Sequence, residues 1–217
     1  YINTKNKVEL IQPFKVTNIK LGTFIIVHNG NINNLANVRN YFDLESDSDI
    51  QLNDSQLLAR ILENSTESHI EKTLRLMMQN IRGIFNLLIY HENTDTLYAI
   101  KDKFGNRPLC LGMNRRGICV ASESVALGNY DYIREVEAGE IIKIGNSSYQ
   151  TIHTENQVRQ SCLFEYIYLQ NKNSIAREIK YDLEDNKKTI TIENIREDFG
   201  AELARKEINH IDKKKEH

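Results

Sequence analysis

Apolar residues along this chain fall into short runs separated by polar clusters, and the period of each run predicts its element. Phe24 to Val27 is a continuous apolar run of buried-strand type, and it leads directly into His28-Asn29-Gly30-Asn31-Ile32-Asn33-Asn34, a dense group of imidazole and amide side chains. Leu57, Leu58, Ile61 and Leu62 recur at helical spacing and predict a helix over Ile50 to Asn64, with Ser46 and Asp49 forming a capping box at its start. Ile70, Leu74, Met77, Met78 and Ile81 share one face of a second helix, from about Glu67 to Ile81, in which the methionines fill a core. Strands are expected at Ile84 to Tyr90, Leu97 to Lys101, Leu109 to Leu111, Ile118 to Ser122, Glu140 to Ile144 and Tyr149 to His153, separated by Gly, Asn and Asp turns. From Gln170 to about Thr191 the periodicity fades into charges and amides, which predicts a linker or exposed inserted loop; its Lys180 to Lys188 stretch suggests no function. Ile192, Ile195, Phe199, Leu203 and Ile208 then form one stripe, so Ile192 to Ile211 reads as an amphipathic helix seeking a partner. Two helices set among many strands predict an α+β domain.

Composition narrows the class without identifying it. The 217 residues suffice for one large domain with a substantial core, or for one domain and part of a second. A formal net charge of −2, with acids and bases interspersed, offers no footprint for nucleic acid or an anionic membrane, and Lys213-Lys214-Lys215 reads as a solvated tail. Three cysteines, Cys110, Cys119 and Cys162, without any Cys-x-x-Cys spacing, argue against a disulfide framework and a zinc ribbon and for a reducing compartment. No apolar run reaches the roughly 18 residues that span a bilayer, and the polar start is no secretory signal, so a cytoplasmic protein is expected.

The chemistry concentrates at Asn29 and Gly30. Asn-Gly after a strand is the strongest short-range hairpin signal, which is the structural reading of the pair. Against it stands an ordered series downstream: Ser46-Asp47-Ser48-Asp49, Asp102-Lys103-Phe104-Gly105-Asn106-Arg107-Pro108-Leu109, Ala121-Ser122-Glu123-Ser124, Gly139-Glu140, and Cys162-Leu163-Phe164-Glu165-Tyr166-Ile167-Tyr168. The series resembles the amidophosphoribosyltransferase family, in its amino-terminal class II glutamine amidotransferase domain. His-Asn-Gly-Asn and the Ser-Asp-Ser-acid element are shared by other class II amidotransferases, whereas Asp-x-x-Gly-x-Arg-Pro-Leu and Cys-x-x-Glu-Tyr-x-Tyr are similar to the phosphoribosyl branch.

The resemblance implies a four-layer αββα sandwich of the N-terminal-nucleophile type, which hydrolyses the glutamine side-chain amide with a first-residue cysteine activated by its own α-amino group. It assigns the oxyanion hole to the Asn29 side chain and the Gly30 backbone amide. The residue types suit that task, because Asn carries an NH₂ donor and Gly lets the backbone approach the substrate without a Cβ in the way. Asp47 maps onto the acid that grips the glutamine α-ammonium, beside its alternative as a helix cap. Asp49 fits a helix start. Arg107 reads as structural, Glu123 and Glu140 as markers bonded to loop backbone, and His28 as a hydrogen-bonded structural residue. Some members of the family hold a 4Fe-4S cluster through a cysteine near Cys162 and others keep the cysteine without one; both readings stand.

The resemblance further implies a division into an amidotransferase domain over 1–169, a linker or loop over 170–191, and a helix over 192–217 leading toward a phosphoribosyltransferase domain that uses Mg²⁺ and phosphoribosyl diphosphate. A homo-oligomer is expected when the chain is complete. Tyr1 in place of Met, the lack of any cysteine before Cys110, and the lack of the arginine expected just before Tyr1 point to a piece of a longer protein, inactive as it stands. The alternatives are a non-catalytic module that binds glutamine or a protein, and a sugar-aminating or asparagine-forming amidotransferase.

Overall fold

The computed structural model describes residues 11–44, 52–155, 159–181 and 186–215. Its centre is a six-stranded antiparallel sheet in the order β1-β2-β3-β4-β8-β9. The strands are β1 Phe14–Asn18, β2 Gly22–Ile32, β3 Gly83–His91, β4 Thr96–Lys101, β8 Glu140–Ile144 and β9 Tyr149–Thr154. Period-2 alternation gives this sheet two different faces. One presents Phe24, Ile26, Phe85, Leu87, Ile89, Tyr98, Ile100 and Ile141 to the helices, and the other presents Leu88, Leu97, Ala99, Ile142 and Ile144 to a second sheet.

On the helical side lie α1 Leu35–Tyr41, α2 Asp54–Glu63 and α3 Ile70–Asn80. Leu57, Leu58, Ile61 and Leu62 of α2, with Leu74, Met77 and Met78 of α3, are fully buried against the sheet, as their spacing predicts. Each such side chain contributes on the order of 2 kcal/mol through removal from water. The start of α2 differs from the expectation. It lies at Asp54, where Asn53 Oδ1 accepts from Gln56 N at 2.8 Å while Asn53 N donates to Gln56 Oε1 at 3.0 Å. The capping box is therefore Asn53/Gln56 and not Ser46/Asp49, a stretch that lies outside the described residues. Its other end is tied to β1, where buried Asn18 donates through Nδ2 to the carbonyls of Leu62, Glu63 and Ser65 at 2.8–3.1 Å.

The second sheet has the order β6-β5-β7, with β5 Cys110–Asn114, β6 Gly117–Ala121 and β7 Asp131–Glu135. Leu111, Ile118, Val120 and Ile133 pack on the large sheet. Two ion pairs lock the two sheets together. Arg134 on β7 makes a bidentate pair with Glu140 on β8, both bonds at 2.8 Å, and Thr151 on β9 and the Glu137 N–H complete the carboxylate's shell. Lys101 of β4, 1% exposed, reaches Glu135 of β7 at 2.5 Å. The architecture is thus an α+β sandwich with helices over one sheet and a second sheet over its other face.

Four strands and one helix were not foreseen. β1, β7 and α1 are short, and the stretch read as a linker or loop instead holds a hairpin, β10 Ile175–Tyr181 with β11 Asn186–Thr191, which forms its own two-stranded sheet. The β-branched and aromatic residues of the hairpin favour extended backbone, while interspersed charges hide any alternation. α4 Ile192–Lys215 follows. Ile192 is buried, but Phe199, Leu203 and Ile208 are exposed along the stripe predicted to seek a partner. Among the described residues no helix is long and apolar enough to cross a membrane.

Burial disfavours charge on Glu140, yet the bonds from Arg134, Thr151 and the Glu137 amide outweigh it and hold the carboxyl below the ordinary range. A depressed folded-state value stabilises above the unfolded value and is lost as pH falls through the folded one. Glu140→Gln is therefore expected to lower the unfolding free energy by about 3 kcal/mol near neutrality. Urea titrations repeated down to about pH 3 should show the gap to wild type closing as the native carboxylate protonates.

Candidate active site

The Asn29-Gly30 pair makes no turn. β2 runs extended through it, with Asn29 opposite Asn86, Gly30 opposite Phe85 and Asn31 opposite Ile84 on β3. The hairpin reading of the pair is thereby replaced. Gly30 has φ +155°, and a Cβ placed there would lie 2.1 Å from the Ile84 carbonyl oxygen and 2.5 Å from the Phe85 Cα. Gly83 is its counterpart, since a Cβ there would meet the Asn31 carbonyl oxygen at 2.2 Å. Close strand approach, rather than room for a ligand, is thus the immediate reason for glycine at position 30.

β1 supports β2 only as far as His28. Before Phe14 the Gln12 side chain replaces backbone pairing: its Nε2 donates to the His28 carbonyl at 3.0 Å, and the His28 N–H donates back to its Oε1. The His28 peptide groups therefore face the β1 edge, and by alternation so does the Gly30 N–H two residues on. Beyond Gln12 no described residue pairs with that edge. Asn29, between them, is exposed and projects from the opposite face to His28.

His28 points toward the helices, where Nδ1 sits 2.8 Å from Ser55 Oγ at the first turn of α2, with Asp54 Oδ1 at 4.0 Å. Burial pulls its pKa below the usual value, against the raising effect of Asp54, which keeps the ring neutral near neutrality. Facing away from Asn29, it fastens β2 to α2 and is the hydrogen-bonded structural residue expected.

The Asn29 face carries two residues that the sequence reading passed over. Asn86 on β3 and Lys101 on β4 stand beside it in register. Asn86 is 4% exposed; its Nδ2 donates to the Pro108 carbonyl at 2.7 Å, while its Oδ1 is buried with no partner among the described residues. Burial lowers the pKa of Lys101, with Glu135 opposing the shift. A lone polar residue inside each apolar strand run, Ile84 to Tyr90 and Leu97 to Lys101, is the signal that could have found both.

The downstream motifs assemble around one another. The Asp102 carboxylate accepts from the Phe85, Phe104 and Gly105 amides at 2.8–3.2 Å and so folds its loop against β3 beside Gly30. Burial raises its pKa despite those donors. Arg107 lies 3.3 Å from the buried Glu165, joining the Arg-Pro-Leu element to Cys-x-x-Glu-Tyr-x-Tyr in the structural role expected of it. Glu123 accepts from Asn171 N at 2.7 Å, backbone bonding of the kind its motif suggested, and also from the Ser174 hydroxyl at 2.5 Å. Glu140, expected to bond loop backbone, does so through the Glu137 N–H but also serves the inter-sheet pair with Arg134. Asp47 lies outside the described residues.

Cys162 is half-buried three residues before the π-helical turn Glu165–Leu169, and Cys110 and Cys119 belong to the small sheet. No group of three or more His, Cys, Asp or Glu among the described residues could hold a metal ion. A four-thiolate cluster therefore does not fit these residues by themselves.

The chain is similar to several known proteins. A family profile described as "Glutamine amidotransferase domain" matches residues 5–129. The chain is 30% identical over 210 residues to an amidophosphoribosyltransferase of Archaeoglobus fulgidus, covering 93% of this chain and 42% of that one. It is 29% identical over 196 residues to the enzyme of that name from Methanocaldococcus jannaschii, covering 80% and 41%. Among solved structures it superposes with TM-score 0.69 on glutamine phosphoribosylpyrophosphate amidotransferase from B. subtilis, at 26% identity over 80% of this chain and 38% of that one. The chain thus spans about two fifths of the relatives it matches.

Because backbone atoms face the Gly30 α-carbon, Gly30→Ala and Gly83→Ala should each lose at least about 3 kcal/mol in chemical denaturation. Gly145→Ala, with open space around its Cβ, should lose less than about 1 kcal/mol. Equal small losses at all three positions would contradict the close approach of β2 and β3.

Proposed function

The chain belongs to the glutamine amidotransferase domain family, and from that premise we propose that it forms the glutaminase part of an amidophosphoribosyltransferase, releasing ammonia from glutamine to aminate phosphoribosyl diphosphate. The observation that carries the reading is the pair of donors at the end of β1: the exposed Asn29 side chain, and the Gly30 N–H turned to an edge that no described strand occupies. The order of the chain's motifs and the names of its relatives support the phosphoribosyl acceptor over sugar or aspartate acceptors.

In this reading a thiolate adds to the γ-carbonyl carbon of glutamine. Negative charge moves onto the carbonyl oxygen, where the Asn29 Nδ2 and the Gly30 N–H hold it. The C–N bond then breaks, the nitrogen leaves as ammonia after taking up a proton, and water hydrolyses the thioester to glutamate. Asp47 binds the α-ammonium of glutamine. Cys110 is no source of the thiol, since burial above all pushes its pKa up to about 12. In the family that the chain resembles, the thiol is that of a first-residue cysteine, and the transfer to phosphoribosyl diphosphate, with its Mg²⁺, belongs to a second domain. Three cysteines that form no disulfide suit a cytoplasmic setting.

Asn29→Ala in the complete gene product should lower the glutaminase kcat by about 10²- to 10³-fold, because one oxyanion donor is lost from an exposed position. Its thermal midpoint should stay near that of wild type. Ammonia release in the wild type should rise when phosphoribosyl diphosphate is added. A complete gene product that releases no ammonia from glutamine, or that ignores the Asn29 substitution, would remove the assignment.

A further inference from the structure

We propose that Asn86 is a positioning residue that sets the orientation of the Asn29 amide, the inference resting on the glutaminase reading above. An asparagine can present either its NH₂ or its oxygen to a ligand, and only the NH₂ stabilises an oxyanion. Asn29 is exposed, and no hydrogen bond within the described residues holds its side chain in one sense. Something must break this degeneracy when glutamine seats.

Asn86 has the required geometry. It is the direct cross-strand partner of Asn29, on the same face of the sheet. The His28 peptide groups face β1, so those of Asn29 face β3, and the pair is hydrogen-bonded with Cα atoms about 5.5 Å apart. The Asn86 amide has a fixed sense. A carbonyl can only accept, so the 2.7 Å contact with the Pro108 oxygen must come from Nδ2, which leaves Oδ1 turned the other way. That oxygen is buried with no partner among the described residues, an arrangement that costs free energy unless a donor arrives. Lys101, the neighbour on the other side, is engaged with Glu135.

The chain of donors then has one direction. The Pro108 carbonyl orders Asn86, Asn86 Oδ1 accepts one hydrogen of the Asn29 Nδ2, and the second hydrogen of that NH₂ is left for the oxyanion. Each bond polarises the next. Glutamine binding itself makes no demand on Asn86.

The test measures glutaminase kcat and KM of the complete gene product for Asn86→Ala and Asn86→Leu, each in the wild-type and the Asn29→Ala background. Loss of one neutral hydrogen bond should lower kcat about tenfold with KM unchanged, and should cause no further loss once Asn29 is alanine. An equal loss in both backgrounds, or a rise in KM at constant kcat, would overturn the inference while leaving the glutaminase reading intact. Absence of wild-type activity would overturn both. A crystal structure of the wild-type enzyme alkylated by a diazoketone analogue of glutamine, with loss of N₂, needs no variant to fold: Asn29 Nδ2 about 3 Å from Asn86 Oδ1 supports the proposal, and an Asn29 amide turned away refutes it.

Discussion

β2 and β3 stay paired through Gly30 and Gly83 because each glycine leaves space for the other strand's backbone, and the geometry of the candidate site follows from that approach. With the strands locked in this register, Asn29 must project opposite His28 and Asn86 must stand beside Asn29. A one-residue slip would exchange the faces and bury the amide against the helices. Register here is also secured from outside the pair. Gln12 grips the His28 peptide from the β1 side, Ser55 holds the His28 ring from α2, and Asp102 accepts the Phe85 N–H from the following loop.

The second sheet contributes a different kind of constraint. Its apolar contact with the large sheet has no inherent direction, whereas the Arg134–Glu140 and Lys101–Glu135 pairs fix where it sits. Arg107 and Glu165, which stand 58 positions apart in the chain, extend the same logic to the segment that precedes the hairpin. One residue of the Arg-Pro-Leu element and one of the Cys-x-x-Glu-Tyr-x-Tyr element are thus structural partners of one another.

Much of the fold was legible because packing sets period. All five residues assigned to one face of the second helix are buried, and the strands of the large sheet from β3 onward lie where their apolar runs placed them. β7 was not legible, because Arg134 and Glu135 read as solvent-facing charges until their partners on β8 and β4 are known. β1 was hidden for a simpler reason: Phe14 and Val16 alternate with Lys15 and Thr17 over only five residues. At the site, the resemblance named Asn29 and Gly30 as oxyanion donors while their residue types alone marked a turn, and β2 runs straight through them. Whether Asn-Gly turns or runs straight is decided by Gly83, which lies fifty-three positions downstream.

The packing of Gly30 also limits what sequence variation can reveal. Its α-hydrogens face the main chain of β3, so purifying selection would keep glycine there in any protein with this strand pair, whether or not the domain retained its chemistry. An unvaried glycine in an alignment would report tertiary fit. The contribution we propose for its N–H is separable from that fit only by changing the backbone itself. Replacing that peptide linkage by an ester through semisynthesis removes the donor and leaves every neighbouring atom in place.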